Sequence, residues 1–169
     1  GVDWSRVKAL NAGGPEEMER AFRDGQGEYV HLQGPAPQQL EEDRIGQVVA
    51  CVGEAMPLLA FSSLMAMPAF LESDKGKAFM RAYRASLAWV NDADAKEIAE
   101  RESALFPNIS KSALAAAITR YQQLGTWRKD PIIPREQYEV SMDAFIHAGI
   151  FKRRFRYEDV VYESKNMSE

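Results

Sequence analysis

The sequence predicts an α/β protein: a mixed sheet in its first third, followed by a helix-rich remainder. Three observations carry that prediction. Between Gly1 and about Ala60, short strand-like runs alternate with helical patterns. Leu58 to Met67 is a continuous apolar run of the kind buried on both faces in a parallel or mixed sheet. From Pro68 onward, apolar residues recur almost wholly at helical spacing. With 169 residues and 46% apolar content, the chain can bury a core as one compact unit or as two closely packed subdomains.

The elements follow in order. A strand is expected at Val7 to Leu10 and a helix at Pro15 to Asp24. Pro15 takes the first helical position, Met18, Ala21 and Phe22 form the apolar stripe, and Gly25 supplies a left-handed cap. A strand at Glu28 to Gln33 runs through a Gly-Pro turn into a short helix at Pro37 to Glu42. Further strands are expected at Gln47 to Val52 and at Leu58 to Met67. Beyond them, a helix beginning near Ser73 places Phe79, Ala82, Tyr83, Ser86 and Val90 on one face. Ser110 caps a second, lined by Leu114, Ala117, Ile118 and Tyr121. Tyr138, Met142, Phe145 and Ile146 form a third face, stopped by Gly149. These stripes read as core packing. No low-complexity linker, charge run or internal repeat separates the two regimes, so they are expected to share a core.

Composition narrows the function classes. The formal charge of −4 argues against a general nucleic-acid binder, which carries a strongly basic balance or stripe. FKRRFRY, residues 151–157, interleaves four cations with three aromatics, but Glu158, Asp159 and Glu163 follow at once. It reads as a solvated segment with Phe155 and Tyr157 docked on the body. Cys51 stands alone, so no intrachain disulfide is possible, and its setting in QVVACVG points to a buried, inert thiol. No apolar stretch approaches the roughly 20 residues of a membrane span. No signal peptide is visible, and Gly1 in place of Met reads as a processed or truncated chain.

Dedicated chemistry is not signalled. His31 and His147 are the histidines, with no H-E-x-x-H, no C-x-x-C and no clustered ligand set, so neither metal nor cofactor is implied. His31 reads as a hydrogen-bonded structural residue of its strand and His147 as a cap or surface residue in the last turn of a helix. There is no G-x-S-x-G elbow, Walker loop or G-x-G-x-x-G before a helix. Gly13-Gly14-Pro15 is a turn and helix start, Glu41-Glu42-Asp43 a solvated helix end, and no catalytic nucleophile is paired with a base.

The stretch GEYVHLQGPAPQQLE, Gly27 to Glu41, resembles the D-A-x-x-x-W-E-P-Y-x-x-x-L-E pattern of ABC-importer substrate-binding proteins of the NMT1/THI5-like, sulfonate/nitrate/taurine group. Glu28 falls on the acidic residue, Pro35 on the proline, and Leu40 with Glu41 on the closing pair. GVDWSRVKAL resembles the family's G-L-D-P-x-D-V linker, and Gly14 to Gly27 the helix leading into its G-Q-V-D-A turn. Phe61 to Glu97 resembles the returning strand and the following helix, and Ala115 to Trp127 and Tyr138 to Ile150 continue the likeness.

The resemblance implies part of a two-lobed type II periplasmic-binding-protein fold, its C-terminal half. Residues 1–60 would be a partial lobe two, and residues 61–169 the crossover strand and C-terminal helical part of lobe one. That is roughly half of such a two-lobed protein. It implies a solute-binding component of an ABC importer that captures a small molecule between two lobes and delivers it to a membrane permease. The protein would be periplasmic or extracellular and membrane-associated, not an enzyme, and able to self-associate when truncated.

Gln33, Gly34 and Pro35 are the expected ligand contacts. Gly allows close backbone approach, Pro fixes the turn, and Gln offers both a donor and an acceptor. Ser62 and Ser63, entering the crossover strand, are secondary candidates. A structural Gly-Pro turn with surface-facing serines is the alternative, and both roles stay open. Where many relatives carry W-E-P-Y, this chain has Gln33-Gly34-Pro35-Ala36, which removes an aromatic ring and a carboxylate. The wall suits an anion or a neutral heterocycle equally. Two other functions remain: a pyrimidine-synthesis enzyme of the same fold, marked by a cofactor adduct, and a helical partner-binding module, which needs no cleft.

Overall fold

The structure, a computed structural model, describes residues 3–162. The described chain is helical. Its α-helices are α1 (Pro15–Arg23), α2 (Ala36–Glu42), α3 (Val52–Ala55), α4 (Pro68–Leu71), α5 (Asp74–Asp92), α6 (Ala95–Glu102), α7 (Lys111–Gln123), α8 (Arg135–His147) and α9 (Tyr157–Val160). Short 3-10 turns occupy Trp4–Arg6 and Ser103–Leu105. No described helix is long and apolar enough to cross a membrane.

The chain divides into two compact units, one of Gly1–Ala50 with Asp94–Tyr121 and the other of Cys51–Ala93 with Gln122–Glu169. In the first unit, Pro15 opens α1, Glu16 and Glu17 complement the helix dipole at its start, and Arg20 and Arg23 do so at its end. The helix closes in a Schellman turn: Gly25, at φ +75°, donates to Phe22, and Gln26 donates to Ala21 at 2.8 Å. The same turn ends α2, where Arg44 takes the left-handed position at φ +59°. Ala21, Leu40, Ile98, Ala99, Leu114 and Ile118 are buried here. Small residues dominate α7's inner face, where Ala113, Ala115 and Ala117 are also buried.

In the second unit, Ser73 caps α5: its Oγ accepts from the Gly76 N–H at 3.1 Å and its hydroxyl donates to the Phe70 carbonyl at 2.6 Å. The aromatic centre of this unit lies between α8 and α9. Tyr138, Met142 and Tyr157 are buried, with Ile133, Phe151, Phe155 and Val161 packed against them. The Tyr138 and Tyr157 rings meet edge to face at 5.5 Å. Their hydroxyls donate to the Phe155 carbonyl at 2.9 Å and the Ile133 carbonyl at 2.6 Å, so each ring is buried with its polar end satisfied. Arg154 pairs with Glu139 and Asp143, and Arg156 with Asp159. Phe155 and Tyr157 therefore dock as the sequence predicts, while carboxylates of the same unit meet two of the four FKRRFRY cations.

The expected α/β class is wrong for this chain: among the described residues there is no strand and no sheet. Val7 to Leu10, Glu28 to Gln33, Gln47 to Ala50 and Leu58 to Met67 run as irregular chain, and Val52 begins α3. A strand is made by its ladder, and these runs find none. The Val48 N–H donates to the Glu41 carboxylate at 2.8 Å, and the Ala60 N–H to the Gln137 carbonyl of α8 at 3.2 Å. Burial fails with it. Phe61, Leu64, Met65 and Met67 are all exposed, Met65 at 95%, so the run read as a doubly buried strand is the most exposed apolar stretch described.

Smaller expectations shift too. Cys51 is only partly buried, and His31, outside any strand, is exposed. On α5, Phe79, Ala82 and Ser86 are exposed, and the buried residues are Gly76 and Leu87. The ring of Phe79 instead stacks on Tyr83 at 6.3 Å and meets the edge of Phe70 at 6.4 Å.

Candidate functional site

The Gln33–Pro35 turn leads directly into α2, and its Gly34-Pro35 peptide is cis. Its residues divide by direction. Gln33 is exposed, whereas Gly34 and Pro35 are partly buried. A Cβ on Gly34 would lie 2.9 Å from the Tyr121 hydroxyl of α7 and 3.2 Å from Gln38 Oε1. Gly34 therefore leaves room for the Tyr121 side chain of α7, whose hydroxyl donates to the Gly34 carbonyl at 3.4 Å. Gln38 Oε1 is buried there with no donor among the described residues. Sequence reasoning did not single out Gln38, although it stands one helical turn after Gly34, and placed Tyr121 only on the packing face of its helix. Ser62 and Ser63 belong to the second unit and are exposed.

A polar network holds α1, α2 and α7 together in the first unit. Arg23 reaches Glu19 and Asp43, each at 2.8 Å. Asp43 accepts from Gln39 Nε2 at 2.8 Å, and Gln39 Oε1 accepts from the Ser110 N–H at 2.7 Å. The Ser110 and Ser112 hydroxyls both donate to Glu42 Oε2, at 2.6 and 2.7 Å, while Ser110 Oγ caps α7 by accepting from the Ala113 N–H at 3.0 Å. Hydrogen bonds from Ser110 and then Ser112 hold the Glu42 carboxyl below its ordinary range. Gln39, and then Arg23, does the same for Asp43. The Glu41-Glu42-Asp43 run is exposed at the end of α2, as the solvated helix end read from the sequence, and it also ties that helix to α1 and α7.

Beside this network an open groove of about 510 Å³ separates α1 from the segment 105–109. Glu16, Glu19, Arg20 and Arg23 stand along the helical side, and Leu105, Phe106, Pro107, Asn108 and Ile109 form the opposite wall. The spacing of those four charges puts them on one helical face, a signal legible in the sequence that pointed to no ligand without the opposite wall.

Comparison with known proteins bears on what such a chain does. Over 143 residues, 83% of its length, it is 26% identical to a Bacillus subtilis (strain 168) protein named "Putative binding protein YtlA". The chain is similar to a binding protein. It spans 43% of that relative's length. No protein-family model and no solved structure matches it.

Among the described residues, no three His, Cys, Asp or Glu side chains are grouped so as to hold a metal ion. The first unit presents the exposed amide of Gln33, the buried acceptor of Gln38, and a groove with charged side chains on one side and Asn108 among apolar residues on the other.

Proposed function

We propose that this chain is part of the solute-binding component of an ABC importer of the NMT1/THI5-like type, which captures a small molecule and hands it to a membrane permease. The observation that carries the reading is the similarity, across 143 residues, to a protein named as a binding protein. The motif likeness around Gly27 to Glu41 supports the family, and with it a periplasmic or extracellular, membrane-associated location. Gln33 presents an exposed hydrogen-bonding group to a solute, with Gly34 and Pro35 fixing the turn that carries it. The bound molecule is released unaltered. Isolated from the rest of such a protein, the 169-residue chain self-associates through the exposed side chains of Leu58, Phe61, Leu64 and Met65.

Thermal denaturation against taurine, alkanesulfonates, nitrate and aminopyrimidines tests the reading. A solute at 100 times its Kd stabilises the folded form by about 2.7 kcal/mol, so one class should raise the melting temperature while the others leave it unchanged. Gln33→Ala should then weaken binding of that solute by about 1–3 kcal/mol. Mass spectrometry of the recovered solute separates carrier from enzyme, since a chemically altered product overturns the proposal. So does a melting temperature that none of the four classes moves.

A further inference from the structure

We propose that the groove between α1 and residues 105–109 binds a small organic carboxylate with an apolar body. This site stands on its own geometry and does not depend on the solute-binding reading. Its volume, about 510 Å³, falls in the ordinary range of small-molecule clefts, roughly 300–1,000 Å³. The two arginines on its helical side differ in commitment. Arg23 is held by Glu19 and Asp43, whereas the Arg20 guanidinium makes no ion pair or side-chain hydrogen bond among the described residues and is exposed. A free guanidinium presents a planar fork of donors that matches a carboxylate in bidentate fashion.

The opposite wall decides the rest of the ligand. Leu105 is 76% exposed at the groove, next to Phe106, Pro107 and Ile109, with Asn108 the one polar residue of this wall. That wall is pinned by backbone hydrogen bonds, Phe106 N–H to the Ser103 carbonyl and Ile109 N–H to the Phe106 carbonyl, both at 3.0 Å. An inorganic anion would leave this apolar surface in water, whereas an alkyl or aryl acid covers it while its carboxylate meets Arg20. Glu16, four residues before Arg20 on the same face, repels that carboxylate and competes for the guanidinium. It sets the sign of a second test.

Amide chemical shifts of the intact 169-residue chain, titrated in turn with hexanoate, hexanol and hexylamine, read the proposal. Hexanoate should move the signals of residues 105–109 and bind at least tenfold more tightly than either neutral or cationic analogue. Arg20→Gln should cost at least tenfold in hexanoate affinity, and Glu16→Gln should increase it severalfold. Both side chains are exposed, so circular dichroism should stay unchanged. N-acetylleucine, tested alongside, tells a peptide carboxyl terminus from a free acid; binding of either through Arg20 supports the site. Equal affinity for hexanoate and hexanol, an Arg20→Gln protein that binds hexanoate as well as the parent, or no shift at residues 105–109 overturns it.

Discussion

The Ser110 hydroxyl donates to Glu42 Oε2 at 2.6 Å across 68 residues of sequence, and it does so while its own oxygen caps α7. One side chain thereby starts a helix and fastens it to the end of another. Hydroxyls from Ser110 and then Ser112 stabilise the ionised acceptor more than the neutral one, which is why the Glu42 carboxyl is held below its ordinary value of 4.5.

A pH dependence follows from that geometry. A carboxyl whose folded pKa is depressed contributes stability that is fully present above its unfolded pKa and is lost as pH falls through the folded one. For Glu42 the loss begins near pH 4.5 and is complete below its lowered folded pKa. Glu42→Gln should flatten this part of the acid limb in urea titrations at stepped pH, leaving the limb due to Asp43. Unchanged acid sensitivity in Glu42→Gln would show that the two serines do not act through this carboxylate.

The Gly34 turn yields a coupling experiment. Gly34→Ala puts a methyl 2.9 Å from the Tyr121 hydroxyl and 3.3 Å from its ring carbon Cζ, an overpacking expected to cost about 1–3 kcal/mol. Tyr121→Phe removes the hydroxyl that the methyl meets first. The double variant should be more stable than the sum of the two single changes predicts, by about 0.5–1 kcal/mol in a double-mutant cycle. Strict additivity would mean that Gly34 is needed for its turn alone and not for the approach of α7.

Local signals in the sequence located much of the helical structure. Pro15 and Gly25 bracket α1, Ser73 and Ser110 cap α5 and α7, and Gly149, at φ +71°, ends α8, because each acts on backbone groups within a few residues of itself. The strands were misread for the converse reason. An apolar, β-branched run shows only that a segment suits a pleated, half-buried surface, and whether a ladder forms depends on a distant partner. The Ala60 N–H meets the carbonyl of Gln137 in α8 instead. The residues expected to contact a ligand were legible as a turn, since Gly34 and Pro35 mark one by themselves. Tyr121, which determines why Gly34 must be glycine, lies 87 residues away. The groove shows the same limit: the spacing of Arg20 places it on one helical face with Glu16 and Arg23, but Leu105 and Pro107 carry no signal that they would face it.

Gly76 offers the sharpest contest between local propensity and packing. It is the third residue of α5, and in a helix interior Ala is favoured over Gly by about 1 kcal/mol. Yet Gly76 is buried, and a Cβ there would lie 2.1 Å from the Phe70 carbonyl oxygen and 3.0 Å from the Leu71 Cα. Those are backbone atoms at the end of α4, and Ser73 binds the same carbonyl and the Gly76 N–H, so the joint between α4 and α5 has no flexible side chain to yield. Gly76→Ala should therefore destabilise the protein by about 2–3 kcal/mol despite the better helix former. Lys75→Ala, one residue earlier on the exposed face, should leave the urea midpoint nearly unchanged. A midpoint raised by Gly76→Ala would show that α4 moves aside freely and that propensity decides at this position.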